Sequence, residues 1–410
     1  MTRPVGIEKI GVYPCSLSLS MPDLCAARGH KPSDIRDVFM IDERSINPVW
    51  EDPVTMAVNA SRTILDEADL GRIELLIVAS ESGVDQEKPM STWIQRYLNL
   101  TPHCRNFEIK HACYGGTAGL QMAVSWLASG LSRDAKALVI TTDQSRAHFG
   151  KPWEFVLGAG SAAILLSNQP RLVEFELGNN GYWTNEISDL TRPTLTVETG
   201  NSETSLISYM DALEGAYAHF LERVQPATDF DAYFTKNIYH TPFGGMAWRA
   251  HRALQRHWKT LSLAESWSHF EKKAAAALRY LRRMGSTYSS STFIGLLTML
   301  ESSQDIGAGD RISMFSYGSG SCAEFYSVKA CPEAGRLVQG NTIGSRLDAR
   351  KRLTVQEYEA VEKRRTDLTD EGDYDAVDDS LDGWYNHHYK GSGLLVYRGM
   401  QDFYRQYDWS

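Results

Sequence analysis

What most restricts the fold of this chain is a set of short apolar runs that alternate with helical patterns. Leu75 to Ala79, Ala137 to Thr141 and Ala162 to Leu166 read as buried strands. Gly116 to Leu127 has helical spacing, with Leu120, Val124 and Leu127 on one face. Strands alternating with helices predict a layered α/β architecture. The second half repeats the plan. A strand-like stretch ends at Ile238-Tyr239-His240, and helix-like stretches follow at Met246 to Trp258 and Leu263 to Met284. Ser291 to Leu300 then reads as a second buried helix and Ile312 to Phe315 as a further strand. Two stretches read as surface insertions: Asn179 to Ser208, polar and turn-rich, and Arg346 to Asp382, densely charged.

Composition narrows the classes of function. A net charge of −9 over 410 residues gives no overall positive field for nucleic acid or anionic lipid, although a local basic patch remains compatible with it. The opening MTRPVGIEKIGVYP has no apolar h-region, and no apolar run reaches the ~18 residues of a membrane span, so a cytoplasmic location is expected. Cys15, Cys25, Cys104, Cys113, Cys322 and Cys331 show no CxxC spacing, which suits neither a disulfide framework nor a zinc site. His387-His388 has no companion at metal-ligand spacing, and neither a metal nor a redox cofactor is implied.

One cysteine has an unusual setting. Cys113 lies in Phe107-Glu-Ile-Lys-His-Ala-Cys-Tyr-Gly-Gly-Thr-Ala-Gly-Leu120, where a strand-like stretch gives way to a small-residue helix. Free N–H groups at a helix start favour an anion, so a lowered thiol pKa is expected there. From local context alone, a nucleophile and a buried structural cysteine both remain open. A thiolate that takes an acyl group needs an acid/base and an oxyanion site. Glu81 follows a buried strand, where partial desolvation would raise its pKa. His240 ends another strand, with a near-neutral pKa suited to hydrogen-bonding a carbonyl. The turn Tyr317-Gly-Ser-Gly-Ser321 offers the Ser319 N–H as a partner for that of Cys113. Gly158-Ala-Gly160 reads either as a close-packing site or as a loop beside the cleft, and Gly158 is carried as a candidate lining residue.

Together these stretches resemble the 3-hydroxy-3-methylglutaryl synthases of the thiolase superfamily. The resemblance rests on ASES around Glu81, FEIKHACYGGTAGLQ around Cys113, IYHTPFGGMAWRA around His240, FSYGSGSCAEFYS around Ser319, and EDPVTMAVNA from Glu51. Their order and spacing agree over nearly the whole chain. The resemblance implies a five-layer αβαβα thiolase-like fold of two βαβαβαββ halves: 1–167 with Glu81 and Cys113, and 168–410 with His240 and the YGSGS turn. It further implies that Cys113 is acetylated, that Glu81 is the general acid/base, and that His240 holds the acceptor's β-ketone and thioester.

Within the family, the SESG, MSTWIQRYL and CYGGTAGLQMAV stretches are similar to the stand-alone synthases of polyketide β-branching. That likeness implies two partners, a donor acetyl-acyl carrier protein and an acceptor β-ketoacyl-acyl carrier protein, and a homodimer. The substrates would ride on phosphopantetheine, with no other cofactor. The family's Gly-Asn pair before the buried helix stands here as Gly285-Ser286, so the acceptor contact passes to Ser286 or Tyr288. A basic mouth is expected for the phosphate, with Arg28, Lys31, Arg249 and Arg252 as candidates. The alternatives are a primary-metabolism synthase using coenzyme A for both substrates, a ketoacyl synthase III type enzyme, which would lack the glutamate at 81, and a non-catalytic carrier-binding homologue.

Overall fold

The apolar runs do form buried strands, and their order across one sheet shows how the site is assembled. The computed structural model describes residues 3–226 and 229–410. In chain order, the first five strands of the large sheet are β1 (Gly6–Tyr13), β2 (Ile73–Ala79), β3 (Arg105–Ile109), β4 (Lys136–Asp143) and β5 (Gly160–Ser167). Four more follow: β6 (Val173–Thr184), β7 (Lys236–Tyr239), β8 (Arg311–Gly318) and β9 (Cys322–Ala330). The nine strands lie side by side in the order β7-β8-β9-β6-β1-β5-β4-β2-β3. From the β3 edge inward, the first half runs third, second, fourth, fifth, first. From the β7 edge inward, the four strands of the second half run second, third, fourth, first, the same order without an edge strand. Strand directions repeat as well, since β2–β4 and β7–β8 are parallel while β4–β5 and β8–β9 are antiparallel.

Helices fill the layers around the sheet. On one outer face, α1 (Pro53–Arg62) and α2 (Met90–Tyr97) cover the first half. In the middle, α3 (Gly115–Ala128) packs on β2 to β5, and α6 (Ser290–Ser302) touches β1 and β5 of one half and β7 and β8 of the other. On the far face, α4 (Ser202–Val224) and α5 (Gly244–Gln255) cover the second half. The result is the duplicated five-layer thiolase-like architecture expected from the sequence. Helix α6 is buried from Ser290 to Leu300 because it lies between two halves and has no face left for water. None of the described helices is long and apolar enough to cross a membrane.

Three expectations need correction. Leu263 to Met284 is not one helix: it breaks after Leu263–Lys273 into a 3₁₀ turn at Ala275–Leu278 and a short helix at Leu281–Met284. The alanines leave the helix to pack on α6, where a Cβ at Gly295 would lie 3.6 Å from that of Ala277. Arg346 to Asp382 is not simply solvated. Glu362 is 1% exposed and bonds Ser145 Oγ and Arg365, while the buried Arg350 donates to Ser45 Oγ at 2.9 Å and pairs with Glu43. Buried charges must be paired, and pairing fastens this insertion onto the first half. Asn179 to Ser208 lies mostly on the surface, as expected, but it is not an insertion, since its two ends belong to β6 and α4. The middle, residues 185–201, folds back over the site described next.

Candidate active site

Ligands of α/β sheets collect at the carboxyl ends of parallel strands, and here three neighbouring strand ends each deliver one group. Glu81 follows β2, the Cys113 loop follows β3, and Asp143 ends β4. The Asp143 carboxylate accepts from the Glu81 N–H at 2.8 Å, from Ser82 Oγ at 2.9 Å and from Ser80 Oγ at 3.2 Å, which fixes the backbone that carries Glu81. The Cys113 thiol then donates to Glu81 Oε1 at 3.4 Å. Ala112, just before the cysteine, has φ of 42°, a left-handed value rare for a residue with a Cβ. This bend turns the chain into α3, and Ser289 Oγ locks it by bonding the Cys113 carbonyl at 2.9 Å and the Gly116 N–H at 3.1 Å.

The second half supplies the opposite wall. His240 follows β7, and its N–H donates to the Phe315 carbonyl of β8 at 2.7 Å. Its ring Nδ1 meets Ser291 Oγ at 3.1 Å, and Tyr209 donates to its carbonyl at 2.8 Å. Ser319 sits in the hairpin after β8. The preceding Gly318 is pressed against the cysteine loop, where a Cβ would lie 2.6 Å from Tyr114 N and 2.8 Å from the His111 carbonyl. The structure therefore brings Cys113, Glu81, His240, Ser286, Tyr288, Ser319 and Arg249 to the wall of one cleft of about 1500 Å³.

Other sequence candidates fall elsewhere. Gly158 is not on that wall. It belongs to a close-packed junction where its N–H donates to the Ser286 carbonyl and the Ser286 N–H donates to the Val156 carbonyl, both at 2.8 Å. A Cβ at 158 would sit 1.9 Å from the Met284 carbonyl. Gly158→Ala should therefore destabilise the protein by about 1–3 kcal/mol through overpacking, seen as a lowered midpoint of chemical unfolding. A midpoint equal to wild type would show that the junction can open at no cost. Arg28 is bound to Glu154 by two hydrogen bonds of 2.7 and 3.0 Å and pairs with Glu359 at 2.6 Å. Lys31 is exposed, and neither it nor Arg252 lines the cleft. Its basic lining residues include Lys88, Lys110, Arg146, Arg192 and Arg249.

Protonation in the cleft departs from the sequence reading at Cys113 and His240 and agrees with it at Glu81. Burial, and then the charges of Glu81 and Asp143, push the Cys113 thiol well above its usual range instead of below it. Cys113 stands just before the N-cap Tyr114, but its thiol is buried and faces a carboxylate, and those two effects outweigh the helix start. Burial raises Glu81 well above the ordinary carboxylate range, with Arg192 acting against it. Asp143 is likewise raised by burial and by the Glu81 charge. His240 is not near neutral: burial lowers it to about 3, so its ring is held uncharged. The site is a thiol–carboxyl pair facing a neutral imidazole. It can shuttle a proton between sulfur, carboxylate and a bound carbon acid, and it can hydrogen-bond a carbonyl without placing a cation there. Among the described residues, no cluster of three or more His, Cys, Asp or Glu is placed to hold a metal ion.

Sequence reasoning missed Asp143 and residues 185–201. Asp143 had a usable signal, an acid closing an apolar strand as Glu81 nearly does. The 185–201 segment had none. Asp189 within it is fully buried, accepting from Tyr317 OH at 2.9 Å and from the Gly320 N–H at 3.0 Å. Three residues on, Arg192 donates to the Glu81 carbonyl and pairs with Glu198, its Nε at 2.8 Å from Glu198 Oε2. A stretch rich in turns and charge thus lines the cleft while remaining mostly exposed.

Comparison with known proteins agrees with this geometry. The family model for the hydroxymethylglutaryl-coenzyme A synthase C terminal matches residues 251–389. The polyketide biosynthesis 3-hydroxy-3-methylglutaryl-ACP synthase PksG of Bacillus subtilis is 37% identical over 371 residues, covering 87% of this chain and 88% of that protein. A hydroxymethylglutaryl-CoA synthase of Enterococcus faecalis is 31% identical, covering 87% of this chain and 91% of its own. Among solved structures, the HMG synthase of the curacin biosynthetic pathway, in complex with holo donor-ACP, superposes with a TM-score of 0.94 at 37% identity, covering 99% of this chain and 100% of that one.

Proposed function

The chain belongs to the hydroxymethylglutaryl synthase family, and on that footing we propose that it joins an acetyl unit from a donor acyl carrier protein to the β-ketone of a chain on an acceptor carrier protein. The observation that carries this reading is the 3.4 Å contact between Cys113 Sγ and Glu81 Oε1 in a cleft shared with an uncharged His240. Glu81 takes the Cys113 proton as sulfur attacks the acetyl thioester, then passes it to the departing pantetheine sulfur. The acetyl oxygen is held by the Cys113 and Ser319 N–H groups. Now ionised, Glu81 removes a proton from the acetyl methyl. The enolate carbon bonds to the acceptor's β-carbon, whose oxygen faces His240, and Glu81 returns the proton to the new alkoxide. Water then cleaves the Cys113 thioester, freeing a carboxylate and the thiol.

Carrier proteins enter this reading through the relatives, one described as an ACP synthase and one bound to a donor ACP. Arg249 at the cleft wall is the residue proposed to meet the pantetheine phosphate. Each half supplies part of the site: 1–167 the thiol and acid/base, 168–410 the imidazole and the Ser319 turn. Intact-mass spectrometry tests the donor. At equal concentrations, acetyl-carrier protein should add one acetyl group at least about tenfold faster than acetyl-CoA, a difference of about 1.4 kcal/mol in the barrier. Equal or faster loading from acetyl-CoA would favour a coenzyme A enzyme of the Enterococcus faecalis kind.

A further inference from the structure

Beyond Glu81 the cleft wall holds polar groups that the protein itself leaves unsatisfied. Tyr288 lines the cleft, is 5% exposed, and its hydroxyl has no partner among the described residues. Its backbone is held at φ of 51°, a conformation that a bulky L-residue keeps only when its surroundings impose it. Arg146, also on the wall, spends one Nη1 bond on the Leu195 carbonyl at 3.2 Å, and its Nε has no partner among the described residues. Its neighbour Arg192 is occupied by Glu198 and the Glu81 carbonyl. Arg146 and Tyr288 act on each other electrostatically, Arg146 also acts on Glu81, and Glu81 acts on Tyr288. Both stand in the same cleft as the thiol–carboxyl pair: Arg146 follows by three residues Asp143, which fixes the Glu81 backbone, and Tyr288 precedes Ser289, which holds the Cys113 loop.

The geometry points to a subsite, formed by the Tyr288 hydroxyl and the Arg146 guanidinium, for a hydrogen-bond-accepting oxygen on the acceptor chain beyond its β-ketone. It rests on the condensation reading above and specifies which acceptors that reaction selects. With the acceptor's β-carbon at Glu81, the carbons beyond it run along this wall. A chain assembled from two-carbon units carries oxygen on alternate carbons, so the next one stands on the δ-carbon as hydroxyl or ketone. A simple methyl ketone has no atom to place there. No bond forms or breaks in the subsite. It discriminates because an acceptor lacking that oxygen leaves two desolvated donors unpaired.

The test uses three acceptors on one carrier protein with wild-type enzyme already acetylated: 5-hydroxy-3-oxohexanoyl, 3-oxohexanoyl and acetoacetyl. The hydroxylated chain should show a kcat/KM about tenfold above that of its deoxy counterpart. The ratio should fall to near unity in Arg146→Met and in Tyr288→Phe. Acetyl loading of Cys113, measured by intact mass in each variant, reports separately on folding and on the first step. Equal rates for the two six-carbon chains in wild type would overturn the subsite and leave the condensation reading standing. A preference that survives both substitutions would overturn its assignment to these side chains. If none of the three chains condenses on acetylated enzyme, the condensation reading fails, and the subsite falls with it.

Discussion

Cys113→Ala is expected to accept no acetyl group from any donor and to lower condensation by about 10⁴-fold or more, since without the nucleophile no acyl-enzyme forms. The structure makes the loss specific. Cys15 is fully buried and its thiol is raised by burial and by the Glu51 charge, while Cys25 and Cys104 are also buried. Cys113 alone among the six lines the cleft. Cys113→Ser separates nucleophile from scaffold, because it keeps a hydrogen bond to Glu81 possible while replacing sulfur with a far weaker nucleophile. Both variants should fold, since the Cys113 carbonyl, not its side chain, is the group held by Ser289. Acetylation persisting in Cys113→Ala would move the nucleophile to another residue and remove the central assignment.

Glu81→Ala should behave differently, loading acetyl on Cys113 but condensing about 10³-fold more slowly, the magnitude ordinarily lost with a general acid/base. Loading itself should slow, because the carboxylate also receives the thiol proton. The pH dependence carries a sign. Burial raises Glu81, and the methyl proton can be removed only by the ionised form. Condensation by wild type should therefore fall as the pH drops through a value well above that of a free glutamate, with loading followed separately by mass. An acid limb at the ordinary carboxylate value would show that the cleft does not desolvate Glu81 as its burial implies. Undiminished product from Glu81→Ala would take it out of the mechanism altogether.

Much of the fold was legible because each element advertises itself locally. Ile73–Ala79 and Lys136–Asp143 are apolar enough to be strands covered on both faces, and Ser290–Ser302 carries no charge before Glu301, as suits a helix between two sheets. Leu263 to Met284 misled for the opposite reason. Its alanines favour helix in isolation, but packing against α6 overrides propensity. The charge-rich stretches misled because composition reports how many charges a segment has, not whether partners await them. Glu362 and Arg350 find theirs in Ser145, Arg365, Glu43 and Ser45.

By itself the sequence determined the order of strands and helices, the placing of Cys113, Glu81 and His240 each just past a strand, and the family they suggest. Those are properties of short segments, and short segments carry them wherever they go. The tertiary structure decided protonation, coverage and access. It set the Cys113 thiol high and His240 low, drew residues 185–201 along the cleft, and tied up Arg28 while leaving Arg146 without a carboxylate partner among the described residues. Desolvation and Coulomb energy depend on which groups share a space, whatever their spacing along the chain. Glu81 meets Cys113 across 32 positions of sequence and Asp189 meets Tyr317 across 128, and only the folded sheet brings either pair together.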